Sequence, residues 1–123
     1  MAKILIVDDE SEIRQMLKLM LEKEGYEVSE ASNGNEAIEM FNEDPSDLVI
    51  TDLIMPEKEG LGTIREIRKN NPDVKIIAIS GGHRFGLKSY LDASKTFGAD
   101  MTFQKPLVLK DIREAIKDLL SIE

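Results

Sequence analysis

Four apolar runs in this chain each stop at a polar group. Lys3-Ile4-Leu5-Ile6-Val7 leads into Asp8-Asp9, and Leu48-Val49-Ile50-Thr51 leads into Asp52. Ile76-Ile77-Ala78-Ile79 leads into Ser80, and Met101-Thr102-Phe103 is followed shortly by Lys105. The first three runs are almost wholly apolar rather than alternating, the pattern of strands covered by helices on both faces. A short alternating stretch, Tyr26-Glu27-Val28-Ser29, predicts one more strand. Between these runs the period changes to that of helices. Glu10 to Glu24 places Ile13, Met16, Leu17, Met20 and Leu21 on one face, and Gly25 is set to stop it. Asn33-Gly34 reads as a turn before a short helix over Glu36–Phe41, and Asp44-Pro45 breaks the chain before the third strand. Leu61, Ile64 and Ile67 mark a third helix, closed by Asn70-Asn71-Pro72-Asp73. A glycine-bearing loop over residues 81–86 precedes a fourth helix reaching Phe97, with Gly98 as its cap. Ile112, Ala115, Ile116, Leu119 and Leu120 define the last helix.

Strict alternation of strand and helix, with right-handed crossovers, predicts an α/β domain. The expected architecture is a flavodoxin-like, doubly wound, five-stranded parallel sheet of order 2-1-3-4-5 with five helices. In such a sheet the carboxyl ends of the strands line one crevice, and ligands bind where the strand order reverses. The switch point falls between strands 1 and 3, which carry Asp8, Asp9 and Asp52. Residues scattered along the sequence therefore meet on one rim.

The 123 residues suit one domain, long enough to bury about two-thirds of its unfolded surface. A hydrophobic share of 41% argues against disorder. With 24 acids against 16 bases the net charge is -8, which argues against direct nucleic-acid binding and favours a basic partner. The absence of cysteine excludes disulfides, thiolate chemistry and zinc–thiolate sites. The N-terminal apolar run is too short for a signal peptide, and nothing approaches the ~20 apolar residues of a membrane span. A cytoplasmic protein without membrane contact is the expectation.

Three carboxylates at one strand edge repel each other unless a counter-charge is present. A divalent cation with oxygen ligands removes that conflict, and magnesium takes one or two carboxylates while keeping several waters. Asp9 and Asp52 are the expected ligands, with Asp8 acting directly or through a water and the Ile54 backbone carbonyl completing the protein's share. An aspartate oxygen can also attack phosphorus and form an acyl phosphate. Asp52, alone at the end of the central strand, is the better nucleophile. Lys105 can pair with the carboxylate before transfer and with a phosphoryl oxygen after it. Ser80 can donate to another phosphoryl oxygen, a local charge switch coupled to the adjoining loop. Pro106 makes the Lys105-Pro106 bond a candidate cis peptide.

Plainer readings stand beside these. Asp8-Asp9 can cap a helix, Asp52 can start a turn, Ser80 can bond local backbone, and Lys105 can be an ordinary surface lysine. His83, the only histidine, reads first as a solvated loop residue, and for Arg84 and Lys88 contact with an acidic partner or a phosphate is likewise the lesser reading. The Met16–Met20 stripe reads as core packing.

Taken together, the stretches Ile4–Glu10, Asp47–Pro56, Gly98-Ala99-Asp100 and Lys105-Pro106 resemble the receiver domain of two-component response regulators, of the stand-alone, chemotaxis-regulator-like kind. The resemblance covers nearly the whole chain. It implies that Asp52 is the phosphoacceptor, receiving a phosphoryl group from a sensor histidine kinase or a phosphotransfer protein. It implies a Mg2+ site at Asp8 and Asp9, a switch hydroxyl at Ser80 and a signalling lysine at Lys105. The readout surface would be the fourth helix, fifth strand and last helix, docking a downstream protein target. Three features depart from the family pattern. The aromatic switch position holds Thr102, with Phe103 one place on. The segment around His83-Arg84-Phe85-Gly86 is a few residues longer than usual. No output domain follows the last helix, so residues 1–123 are expected to act as a single receiver domain, as a monomer or weak dimer.

The leading expectation is thus a phosphorylatable switch, not an enzyme with an external substrate, whose acyl phosphate slowly hydrolyses. One alternative is a Mg2+-dependent phosphohydrolase, disfavoured because Asp8 and Asp52 are followed two places on by Glu10 and Ile54 rather than by a second Asp. Another is an interaction module that works without phosphorylation.

Overall fold

The computed structural model describes residues 2–53, 60–80 and 98–121, with the backbone alone described at residues 60 and 61. The strands are β1 (Lys3–Val7), β2 (Glu27–Ala31), β3 (Leu48–Asp52), β4 (Lys75–Ser80) and β5 (Met101–Gln104). The described helices are α1 (Ser11–Lys23), α2 (Gly34–Glu43), α3 (Gly60–Asn70) and a C-terminal helix (Leu109–Ser121). All strand pairs are parallel, in the order β2-β1-β3-β4-β5, as the alternation predicts. Four helices are described rather than five. The predicted fourth helix lies outside the described residues, as do Ile54, Pro56, the 81–86 loop with His83 and Arg84, and Lys88.

The unbroken apolar runs are explained by two cores, one on each face. Leu5, Val7, Val49, Ile76 and Ala78 face α2 and α3 together with Ala37, Phe41, Ile64 and Ile67. Ile4, Ile6, Leu48, Ile50, Ile77 and Ile79 face α1 and the C-terminal helix together with Leu17, Leu21, Ile112 and Ile116. Side chains alternate across a strand, so a strand with two covered faces must be apolar throughout. Each fully buried aliphatic contributes about 1.5–3 kcal/mol relative to its exposed state. Met20 packs against the second of these cores, in keeping with the plain reading of the methionine stripe.

Several boundaries move for local reasons. β2 begins one residue later than predicted and runs to Ala31, because its register matches all of β1, from Lys3↔Glu27 to Val7↔Ala31. Asn33-Gly34 is not a free-standing turn. Asn33 is the N-cap of α2, its Oδ1 accepting from Glu36 N–H at 2.8 Å, while Glu36 Oε1 accepts from Ser32 N–H at 2.8 Å. These two bonds begin the helix two residues earlier than its apolar positions indicate. Gly25 ends α1 at φ +93°, and Gly98 lies at φ +125°, both in the region that favours glycine.

Candidate functional site

The carboxyl ends of β1, β3 and β4 and the turn after β5 deliver Asp8, Asp52, Ser80 and Lys105 to one rim. Register does this directly: Val7 pairs with Thr51, Asp52 with Ile79, and Ser80 with Gln104. Each strand's last polar residue therefore emerges within about one residue of its neighbour's. Asp8, Asp9, Glu10 and Asp52 each offer a carboxylate oxygen, and these lie within 4.8 Å of one another. Asp8 and Asp52 are buried, whereas Asp9 and Glu10 are exposed.

Lys105 is the cation placed among them. Its Nζ lies 2.8 Å from Glu10 Oε1, 3.2 Å from Asp8 Oδ2 and 3.3 Å from Asp52 Oδ2, with the side chain only 14% exposed. Its backbone N–H donates to the Ser80 carbonyl at 2.8 Å, and its bond to Pro106 is cis. Burial alone would lower the Lys105 pKa. The hydrogen bond to Glu10 and the charges of Asp52 and Asp8 outweigh that and hold it above its ordinary value.

One ammonium does not neutralise four carboxylates. Burial pushes the Asp8 carboxyl up to about 6, with the charge of Asp52 adding to the shift; the Glu10 N–H, donating to Asp8 Oδ1 at 2.9 Å, and the Lys105 charge partly oppose it. A buried acid so disposed accommodates a further positive charge. The donor set is all carboxylate oxygen, which suits a hard divalent ion rather than a thiophilic one. The predicted Ile54 carbonyl lies outside the described residues.

Ser80 is fully buried, and its Oγ has no hydrogen-bond partner among the described residues. Buried hydroxyls are normally satisfied, which makes this one an exception among the described residues. Phe103 packs with Met101 against the core shared by α1 and the C-terminal helix, and side-chain alternation puts Thr102 on the other face of β5.

Two participants have no part in the sequence-based expectations. Glu10 reads there as the start of a helix and the end of the Ile4–Glu10 stretch, with no role at the site, yet it makes the shortest of the three Lys105 contacts. Its place directly after Asp8-Asp9 is the available signal. Arg14, whose Nη1 donates to the Asp8 carbonyl at 2.6 Å, gives no signal beyond being a charged residue in the second turn of a helix.

Comparison with known proteins agrees with this geometry. A family model described as the response regulator receiver domain matches residues 4–117. The chemotaxis protein CheY of Thermotoga maritima is 39% identical over 115 residues, covering 93% of each chain. The sensor kinase CckA of Brucella abortus is 36% identical over 121 residues, a match that takes in 97% of this chain and only 12% of that protein. The crystal structure of the response regulator TrrA from Thermotoga maritima, in complex with Mg2+-BeF, superposes with a TM-score of 0.84 at 39% identity, covering 97% and 99% of the two chains. No described helix is long and apolar enough to cross a membrane. Receiver domains are signalling proteins rather than classical enzymes, and they interact with histidine kinases and phosphotransfer proteins. The chain therefore belongs to the response regulator receiver domain family, a phosphorylation-dependent two-component signalling switch.

Proposed function

We propose that Asp52 is the phosphoacceptor of this switch. An Asp52 carboxylate oxygen attacks the phosphorus of a phosphohistidine on a kinase or phosphotransfer partner. The P–N bond breaks, its electron pair returns to the ring nitrogen, and the imidazole takes up a proton. The observation that carries this reading is the 3.3 Å approach of Lys105 Nζ to Asp52 Oδ2 beside the acidic cluster. Catalysis of such a transfer rests on positioning and charge neutralisation.

Asp8, Asp9 and Asp52 would hold a Mg2+ ion, with the Ile54 carbonyl as a further oxygen donor. Bound there, the ion supplies charge neutralisation for the phosphoryl oxygens. Lys105 binds one phosphoryl oxygen, leaving its present carboxylate partners, and the Ser80 hydroxyl donates to another. Because Lys105 N–H already holds the Ser80 carbonyl, movement at either residue is passed to β5 at the sheet edge. β5 and the C-terminal helix are the described part of the surface that would dock a downstream target. The acyl phosphate would be lost slowly to water, resetting the switch. With such partners, the protein would work in the cytoplasm.

The test is incubation with Mg2+ and acetyl phosphate followed by intact-mass measurement. A single phosphoryl adduct that requires Mg2+ and disappears in Asp52→Asn is expected. No adduct, or one that survives the substitution, overturns the assignment. The phosphorylation-independent module, by contrast, predicts equal partner capture by the wild type and Asp52→Ala.

A further inference from the structure

Asp8 is where β1 leaves the sheet. Its N–H still donates to the Ala31 carbonyl at 3.1 Å, but its own carbonyl lies beyond the last paired residues of β1, Val7↔Thr51 and Val7↔Ala31. A backbone acceptor at such a position needs a partner or it turns to find one. Arg14, in the second turn of α1, supplies it through Nη1 at 2.6 Å. The same guanidinium donates from Nε to Glu30 Oε1 on β2 at 3.2 Å, and Glu30 Oε2 lies 3.5 Å from Lys18 Nζ. The Arg14 side chain is 18% exposed and that of Glu30 29%, so neither is a freely solvated surface group.

We propose that Arg14, held by Glu30, is a positioning residue for the cation-binding acids, acting by clamping the Asp8 carbonyl rather than through its charge. The carbonyl and the carboxylate of Asp8 are then fixed from two sides, by Arg14 Nη1 and by the Glu10 N–H. Together these set the direction in which the chain presents Asp9. Charge alone would act in the opposite sense, because a guanidinium near the site repels a divalent ion. Glu30 offsets that repulsion while aiming the group. Only the planar fork of arginine sends two donors in two fixed directions, one to β2 and one to the loop.

The inference rests on the proposed Mg2+ site, and titration calorimetry with Mg2+ on the unphosphorylated protein separates the two. If the wild type binds no Mg2+, the site reading fails and the clamp with it. If the wild type binds, the variants decide the clamp alone. Arg14→Gln should weaken Mg2+ binding about tenfold, the low end of the ~10–100-fold lost when groups that orient metal ligands are removed. Arg14→Lys keeps the charge but not the fork, and should be weakened alike. Glu30→Gln should be weakened by a smaller factor, and Lys18→Gln not at all. Unchanged or tighter binding in Arg14→Gln overturns the proposal, as does wild-type affinity in Arg14→Lys. A lower urea midpoint in the metal-free state with an unchanged Mg2+ affinity overturns it as well, since that is the mark of a purely structural ion pair. Should Arg14→Gln fail to fold, the Mg2+ affinities of Arg14→Lys and Glu30→Gln decide the matter by the same criteria.

Discussion

Lys105 Nζ stands 3.3 Å from Asp52 Oδ2 although 53 residues and an intervening strand separate the two. β4 lies between their strands, so the lysine reaches across the carboxyl end of β4, where Ser80 sits. The ion pair, the Ser80 hydroxyl and the candidate acceptor are thereby parts of one local arrangement. A change of charge at Asp52 is felt at once by the residue that begins the turn after β5.

Replacing that lysine tests its share in holding the acids together. Lys105→Met leaves Asp8 and Asp52 buried without their ammonium. We expect a loss of about 1–3 kcal/mol at neutral pH, the cost of taking the charged hydrogen-bond donor away from two buried carboxylates. Urea unfolding measures it, and added Mg2+ should recover most of the loss. An unchanged midpoint without Mg2+ would show that the ion pairs contribute nothing.

The Asp8 carboxyl gives a pH signature. Its folded-state value of about 6 lies above the ordinary 3.8. Folding therefore favours the protonated acid, and this group's contribution to stability declines as pH rises from near 4 to above 6, by about 2–3 kcal/mol in all. Asp8→Asn should flatten that slope. The Lys105 shift has the opposite sense at the other end of the scale: its stabilisation is complete below 10.5 and is lost as pH rises beyond its raised folded value. Because the proton on Asp8 competes with a cation, Mg2+ should raise Tm strongly at about pH 7.5 and little at about pH 5. Thermal melts with and without Mg2+ at the two pH values read this out, and equal shifts would refute it.

Ser80 should behave unlike most buried polar residues. Its hydroxyl has no partner among the described residues, so Ser80→Ala should leave the metal-free fold unchanged or stabilise it by up to about 1 kcal/mol. The same variant should show smaller amide shifts along β5 on addition of Mg2+ and beryllofluoride. A clear loss of stability, or wild-type shifts, would contradict the role assigned to the hydroxyl.

Gly98 tests the approach to β5. It lies at φ +125°, and an added Cβ would sit 3.0 Å from Arg68 Cγ and Nε. Arg68 Nη2 donates to the Gly98 carbonyl at 2.7 Å and pairs with Asp100 Oδ2 at 3.0 Å. Asp100 Oδ2 in turn accepts from Ile76 N–H at 2.8 Å, tying this turn to β4. Gly98→Ala should cost about 1–3 kcal/mol through backbone strain and displacement of Arg68. Equilibrium unfolding with a retained m-value checks it.

Much of the fold could be read from period alone. The buried strands announce themselves as unbroken apolar runs, and alternation with helices of the right period leaves few topologies. Helix ends were less legible where side chains decide them: the start of α2 depends on Asn33 Oδ1 accepting from Glu36 N–H, which a reading of apolar spacing does not register. At the site, Asp8, Asp9, Asp52, Ser80 and Lys105 stood out because a polar group closing an apolar strand is unusual. Glu10 and Arg14 did not, since charged residues beginning a helix are ordinary.

The order of apolar and polar positions by itself determined that five strands form, that β1, β3 and β4 are covered on both faces, and that their last residues share one edge. Those outcomes follow from burial and chain handedness, which act on residue type and spacing. Tertiary structure alone decided that Lys105 pairs with Glu10 as well as Asp8 and Asp52, that Ser80 Oγ finds no partner among the described residues, and that Arg14 holds the Asp8 carbonyl. Hydrogen bonds and ion pairs depend on distances within a few tenths of an ångström and on direction, and only the packed register of β1, β2, β3, β4 and β5 sets these.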